Sequence, residues 1–93
     1  MANNLFVSYD LMAEGQNYER IATAIKSLGN WAKVHNSLWY VNSNLTASQA
    51  VDHLKSAVDQ NDKVLVIDAT NNNAAWNILD PRVSAHIQEN WFK

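Results

Sequence analysis

Asp10 is the residue with the clearest capacity for chemistry, because it closes an apolar strand pattern that begins at Leu5. A strand-end carboxylate offers the hard oxygen ligands that Mg²⁺ binds. It serves equally well as a hydrogen-bond partner for loop amides, and the sequence leaves both uses open. Ser8 points to the same face of the strand, where it is placed to orient Asp10 or a bound water molecule. We predict Asp10 as the metal ligand and Asp10 with Ser8 as the catalytic pair.

Three further residues are predicted to bind a ligand, namely Arg20, His35 and Trp39. Arg20 is the first basic residue after Asp10. His35 falls in a predicted hairpin turn, where a solvated imidazole titrates near neutral pH and suits general acid or base chemistry. Trp39 is one of four tryptophans. These rings either stack on nucleic-acid bases or fill a small core or a dimer interface.

The composition excludes several classes of function. The chain has 93 residues, a formal net charge of −2, a pI near 5.8 and no cysteine. Such a charge argues against a broad basic surface for nucleic acid, and the absence of cysteine removes disulfides, thiolate metal sites and thiol nucleophiles. The first residues lack the cationic region of a signal peptide, and no apolar run approaches the length of a membrane span. We therefore expect a cytoplasmic protein.

The periodicity of apolar residues predicts six elements of secondary structure. A helical stripe runs from Tyr18 to Leu28, and Gly29 is expected to end it as a left-handed cap. Thr46 and Gln49 form a capping box that begins a second helix. The strands are expected at the ranges Leu5–Asp10, Trp31–Val34, Ser37–Val41 and Lys63–Asp68.

The order strand, helix, strand, strand, helix, strand predicts an α+β fold of the ferredoxin-like type, with four antiparallel strands. The continuous apolar run from Val64 to Ile67 indicates a central strand. We expect the strands that end in Asp10 and Asp68 to be the two central ones and to run antiparallel. Their aspartates then lie at opposite ends of the sheet, which argues against a metal site made of both in one chain.

The last segment, from Ala69 to Lys93, is additional to that fold, and the chain is expected to form one domain with a core from about residue 4 to 68. One or two helical turns are expected between Ala74 and Leu79. Asp80 and Pro81 are start residues typical of a further helix. Its narrow apolar stripe is expected to cover the open face of the sheet, either in the same subunit or in a partner.

Several short segments together resemble the Cas-two family of CRISPR-associated proteins and its relatives, the VapD toxins and the SinR-like small proteins. The resemblance spans about residues 5 to 68. It is carried by the strand closing on Tyr9-Asp10, by Ile25-Lys26-Ser27-Leu28-Gly29, by Ser37-Leu38-Trp39 and by the strand from Val64 to Asp68.

The resemblance implies a ferredoxin-like homodimer in which the two Asp10 carboxylates face each other near the dimer axis. Shared Mg²⁺ or Mn²⁺ would neutralise their repulsion and activate a water molecule against a phosphodiester. The chain departs from relatives with nucleic-acid roles, because residues 11 to 19 contain no arginine and include Glu14 and Glu19.

Two functions are therefore kept. The first is a Cas-two-like or VapD-like homodimer that acts as a divalent-metal-dependent endoribonuclease on RNA or another nucleic acid. The second is a non-catalytic dimeric interaction or scaffold module with no nuclease activity. A small-molecule sensor is a third hypothesis, for which the sequence names no pocket residues.

Overall fold

The computed structural model describes residues 2–11 and 18–93, so the acidic position Glu14 lies outside the described residues. The described chain forms a four-stranded antiparallel sheet and three helices. The elements are β1 (Asn3–Asp10), α1 (Tyr18–Lys26), β2 (Gly29–His35), β3 (Leu38–Ser43), α2 (Ala47–Lys55), β4 (Lys63–Asp68) and α3 (Pro81–Asn90).

The strand order is β2-β3-β1-β4, and every neighbouring pair is antiparallel. The arrangement is compatible with a ferredoxin-like fold. The prediction that β4 is central is wrong, because β1 and β3 are the inner strands and β4 is an outer one. The predicted antiparallel pairing of β1 with β4 is confirmed, with Asp10 opposite Lys63 and Leu5 opposite Asp68.

One sheet face, here called the helix face, packs against α1 and α2 and holds the main core. The alternation of β1 sends Leu5, Val7 and Tyr9 into this core, where each is at most 6% exposed. Ile21 and Ile25 of α1 pack there as the predicted helical stripe requires. The predicted capping box is present at the start of α2, where Thr46 and Gln49 each bond the other's backbone amide.

The opposite face, here called the tail face, is crossed by α3 of the same chain. Asp80 caps this helix and Pro81 occupies its first turn, as predicted. Ile87 is buried beneath the helix, and the Trp91 ring stacks on that of Tyr40 at 6.1 Å between centroids. The predicted covering of the open face therefore occurs within one chain.

A buried polar network joins the tail to the sheet. Asn4 is 1% exposed, and its Oδ1 accepts hydrogen bonds from the Tyr40 hydroxyl at 2.6 Å and from Asn42 Nδ2 at 3.2 Å. Asn4 Nδ2 donates to the carbonyl of Trp91 at 2.7 Å, and Asn42 Nδ2 donates to that of Asn90 at 3.0 Å. These bonds satisfy buried amides that would otherwise oppose folding.

Two local predictions are wrong. Gly29 is the first residue of β2 and is not in the left-handed conformation; a Cβ there would lie 2.2 Å from the carbonyl oxygen of Asn42. Close approach of the neighbouring strand is thus the reason for glycine. The segment from Ala74 to Leu79 forms no helical turn, and Ile78 within it has a positive φ of 56°.

Candidate functional site

Asp10 and Ser8 lie on the tail face at the C-terminal end of β1. The core positions Val7 and Tyr9 point to the helix face, so Ser8 and Asp10 point the other way. Asp10 is exposed at the end of β1 and stands opposite Lys63 of β4. Its carboxylate makes no hydrogen bond or ion pair with a side chain in the described ranges. Lys63 of the neighbouring strand places a positive charge beside it.

Asp68 is committed to local structure at the other end of the sheet. Its Oδ1 accepts hydrogen bonds from the backbone amide of Thr70 at 2.9 Å and from the Thr70 hydroxyl at 2.5 Å. This arrangement fixes the turn that leaves β4. The expectation that Asp10 and Asp68 form no joint site in one chain is consistent with their register.

Ser8 sits in a row of residues that crosses all four strands. Leu65 lies opposite Ser8, Ser8 lies opposite Leu38, and Leu38 lies opposite His35. Strands are spaced about 4.8 Å apart, so the Cα atoms of Ser8 and His35 are separated by about 10 Å. The exposed His35 therefore shares a row with Ser8 but does not contact it.

The remaining two predicted binding residues lie with the helices on the opposite side of the sheet. Arg20 belongs to α1 and donates a hydrogen bond from Nη2 to the carbonyl of Ser56 at 2.6 Å. Trp39 is 3% exposed on the helix face, where its Nε1 lies 3.5 Å from the hydroxyl of Tyr9. Neither residue joins Asp10, and the burial of Trp39 matches the alternative that this ring fills the core.

A serine–histidine contact also occurs, between Ser27 Oγ and His53 Nε2 at 2.8 Å. The Ser27 hydroxyl donates its proton to the carbonyl of Ala24 at 2.6 Å. His53 is consequently the donor in the contact with Ser27. A histidine in that role does not act as the base that would activate the hydroxyl.

No group of three or more histidine and acidic side chains within metal-binding reach occurs in residues 2–11 and 18–93. A divalent cation usually takes six or more oxygen ligands, several of them water. Asp10 and the neighbouring Ser8 supply too few protein ligands for a closed site in one chain. The Asp10 carboxylate of a second subunit would add a further oxygen ligand.

An apolar strip on β4 was not anticipated from the sequence. Leu65 and Ile67 share the tail face with Asp10, and they are 57% and 52% exposed. The continuous apolar run predicts a central strand, whereas β4 is an outer one. The alternate residues of this outer strand form an exposed apolar strip on the tail face.

A second unanticipated cluster surrounds Trp31 on the outer strand β2. Trp31 is 40% exposed, and the ammonium group of Lys26 lies 4.6 Å from its ring centroid. The Trp39 ring lies 5.4 Å from that of Trp31, and the Lys33 ammonium group lies 5.7 Å from the Trp39 ring. The spacing of Trp31 and Lys33, two residues apart on one strand, is the sequence feature that indicates this cluster.

No protein-family model matches the chain, and no curated protein or solved structure is significantly similar to it. Among the described residues, no helix is long and apolar enough to cross a membrane.

Proposed function

We propose that this chain is a ferredoxin-like, non-catalytic interaction module that works as a homodimer joined through β4. The observation that carries the proposal is the open edge of this strand. β4 is outermost in the sheet, and the backbone groups of Val64, Val66 and Asp68 make no hydrogen bond beyond the sheet with any described residue. An unprotected apolar edge is a template for strand pairing.

Alternate residues of β1 form hydrogen bonds to β3 and to β4, and this alternation identifies which backbone amides and carbonyls of β4 point away from the sheet. The Tyr9 amide donates to Ser37 beside β3, whereas the Ala69 amide donates to the carbonyl of Asn4. The even-numbered residues of β1 therefore form backbone hydrogen bonds to β4. Their partners in β4 are residues 63, 65 and 67. Residues 64, 66 and 68 direct their amides and carbonyls to the open edge.

In a dimer with its two-fold axis at Val66, all three residues that direct backbone groups to the open edge form hydrogen bonds with the partner chain. Val66 then pairs with the partner's Val66, and Val64 pairs with the partner's Asp68 in both directions, giving six backbone hydrogen bonds. The same register sets Leu65 beside the partner's Ile67. Covering the exposed half of each of these four side chains contributes about 1 kcal/mol per side chain.

The other outer strand carries the features that discourage such pairing. The register of β2 against β3 shifts between Lys33 and His35, and Lys33 lies within the strand. The first turns of α3 also pack along β2. Bulges, lysines and a covering helix protect an edge, whereas the register of β1 with β4 is unbroken. The two edges therefore favour association through β4.

Cysteine pairing tests this register, because the chain has no native cysteine. Leu65 and the partner's Ile67 form a non-hydrogen-bonded pair with Cα atoms about 4.5 Å apart, within disulfide range. An oxidised mixture of Leu65→Cys and Ile67→Cys chains is expected to give more linked dimer than either variant alone. Identical yields in the mixture and in the separate variants would reject the register.

Dimerisation itself is tested by placing a charged side chain on the apolar strip formed by Leu65 and Ile67. Leu65→Lys is expected to give a monomer in sedimentation experiments, because it places two buried cations in the interface. Ile78→Lys is the matched control, since Ile78 is 91% exposed and lies outside β4. The control is expected to remain dimeric. A dimeric Leu65→Lys protein would contradict the proposal.

The second candidate function is a metal-dependent endoribonuclease, favoured by the exposure of Asp10, whose carboxylate has no side-chain partner among residues 2–11 and 18–93. In that arrangement two chains meet through the uncovered half of the tail face, and both Asp10 carboxylates bind one Mg²⁺ or Mn²⁺ ion. Ser8 would orient a bound water molecule. Cleavage of single-stranded RNA that requires the metal and is lost in Asp10→Ala would establish this function; equal cleavage by both proteins would end it.

A further inference from the structure

The surface around Trp31 extends into a groove between β2 and the start of α3. This groove has a volume of about 510 Å³ and is lined by Trp31, Lys33, Asp80, Arg82, His86 and two small apolar residues. The Arg82 side chain is 94% exposed, with Nε 3.6 Å from an Asp80 carboxylate oxygen. That oxygen also caps α3 by accepting the backbone amide of Arg82 at 2.8 Å.

The charge at this groove is opposite to that of the whole chain. Lys26 and Lys33 lie beside the Trp31 and Trp39 rings, and Arg82 lines the same groove from α3 across the edge of β2. They are three of the seven lysines and arginines in a chain of net charge −2. Asp80 is the acidic residue in the groove lining, and it is engaged by the helix start. The surface is therefore a local basic patch that extends around the edge of β2 and includes the exposed indole.

We propose that this groove binds a short segment of single-stranded nucleic acid. A base stacks on the exposed Trp31 ring, and the phosphates on either side contact Lys33 and Arg82. Lys26 now lies over the indole, and it moves to a phosphate when a base takes its place. Aromatic rings combined with separated cations are the recognition chemistry of single strands, because each base has a face that stacks.

A single strand fits better than a duplex for reasons of size and charge. A duplex presents phosphates along two backbones and requires a broad basic surface. Two lysines near one indole and an arginine across the strand edge match two or three consecutive nucleotides instead. The β2 edge lies at the opposite side of the sheet from β4, so the groove stays open in the proposed dimer and exists equally in a monomer.

The test is fluorescence anisotropy with labelled ten-nucleotide oligouridine and oligothymidine at about 50 mM salt. Trp31→Ala is expected to weaken binding at least tenfold, and Trp31→Phe is expected to restore part of the loss. Lys33→Gln and Arg82→Gln are each expected to weaken binding and to lower the salt dependence by about one phosphate contact. A change in salt slope would not follow from a purely structural role.

Lys55→Gln is the matched control, because Lys55 is an exposed lysine of α2 paired with Asp52. It is expected to leave the affinity unchanged. Equal losses in Lys55→Gln and Lys33→Gln, or no binding by the unaltered protein, would overturn the proposal. Tighter binding of oligouridine than of oligothymidine would assign the groove to RNA, and the reverse to DNA. The Leu65→Lys variant is expected to bind the oligonucleotides as the unaltered protein does, because the groove exists in a monomer. The groove proposal and the dimer proposal can therefore fail independently.

Discussion

Asp10 stands directly opposite Lys63 where β1 pairs with the beginning of β4. Cross-strand neighbours of opposite charge attract one another modestly, and the ammonium group of Lys63 reduces the attraction of Asp10 for a cation. Metal binding at Asp10 distinguishes the two candidate functions, because the nuclease needs a metal at this position whereas the interaction module does not. The nearby charge of Lys63 favours the interaction module.

Titration calorimetry with Mn²⁺ measures this difference. The interaction-module account predicts no specific uptake by the unaltered protein and the same flat titration for Asp10→Ala. Lys63→Ala provides the control, because removal of the neighbouring charge increases any affinity that Asp10 has. Saturable uptake that disappears in Asp10→Ala would favour the nuclease instead.

The Asn4 network predicts a large loss of stability when its central amide is removed. Asn4→Ala leaves the Tyr40 hydroxyl, Asn42 Nδ2 and the Trp91 carbonyl without their partner, so unfolding should become easier by about 2 to 4 kcal/mol. Urea denaturation at fixed protein concentration measures this change. Asn30→Ala is the control on an exposed strand position, expected to change stability by no more than about 0.5 kcal/mol. Equal effects would show that the network adds nothing.

Tyr40 gives the structure a pH dependence at the alkaline end. Burial raises the pKa of its phenol above the ordinary value of 10.0, and this effect outweighs the opposing hydrogen bond with Asn42. The unfolded chain therefore ionises first as the pH rises. The contribution of Tyr40 to stability is complete below pH 10 and is lost as the pH rises through the native pKa.

We therefore expect the difference in unfolding free energy between the unaltered protein and Tyr40→Phe to shrink as the pH rises above 10. The phenylalanine variant retains the ring contact with Trp91 and lacks the ionising group. Parallel denaturant titrations from about pH 8 to 11 measure the difference. A difference that stays constant over this range would exclude a raised pKa.

Gly29 is expected to tolerate no side chain. In Gly29→Ala the new Cβ meets the carbonyl oxygen of Asn42, and the β2–β3 pair must separate to admit it. We expect a loss of about 1 to 3 kcal/mol in unfolding free energy, the range of overpacked positions. Denaturation of the variant, with Asn30→Ala as the neighbouring control, checks this. A neutral substitution would show that the strands readily move apart.

The sequence predicted most of the elements because local rules govern them. The stripe through Ile21 and Ile25, the capping box at Thr46 and the helix start at Asp80 each depend on residues within one or two turns. The placement of Asp10 and Asp68 at opposite ends of the sheet follows from the predicted fold type, in which their strands run antiparallel. Helix starts follow from short-range hydrogen bonds, whereas strand order does not, and the expectation that β4 is central is wrong.

The sequence misled where a residue's environment comes from distant segments. The apolar run of β4 does not reveal whether one chain or two chains cover Leu65 and Ile67. The buried network of Asn4 joins β1, β3 and the tail, which are far apart in the sequence. Gly29 appeared to be a helix cap because it follows a helix, while its actual constraint is the carbonyl of Asn42 on the neighbouring strand.

The separation of the two Asp10 residues in the dimer tests the central claim most directly. A two-fold axis through Val66 places each Asp10 three residues along the sheet and one strand inward, so the two Cα atoms lie about 25 Å apart. Asp10→Cys provides a single attachment point for a nitroxide label, because the chain has no native cysteine. Pulsed electron–electron resonance on this variant is expected to give a distribution consistent with about 25 Å between the labelled backbones. A separation of about 10 Å between the two labelled backbones, short enough for the Asp10 carboxylates to share one ion, would contradict pairing through β4.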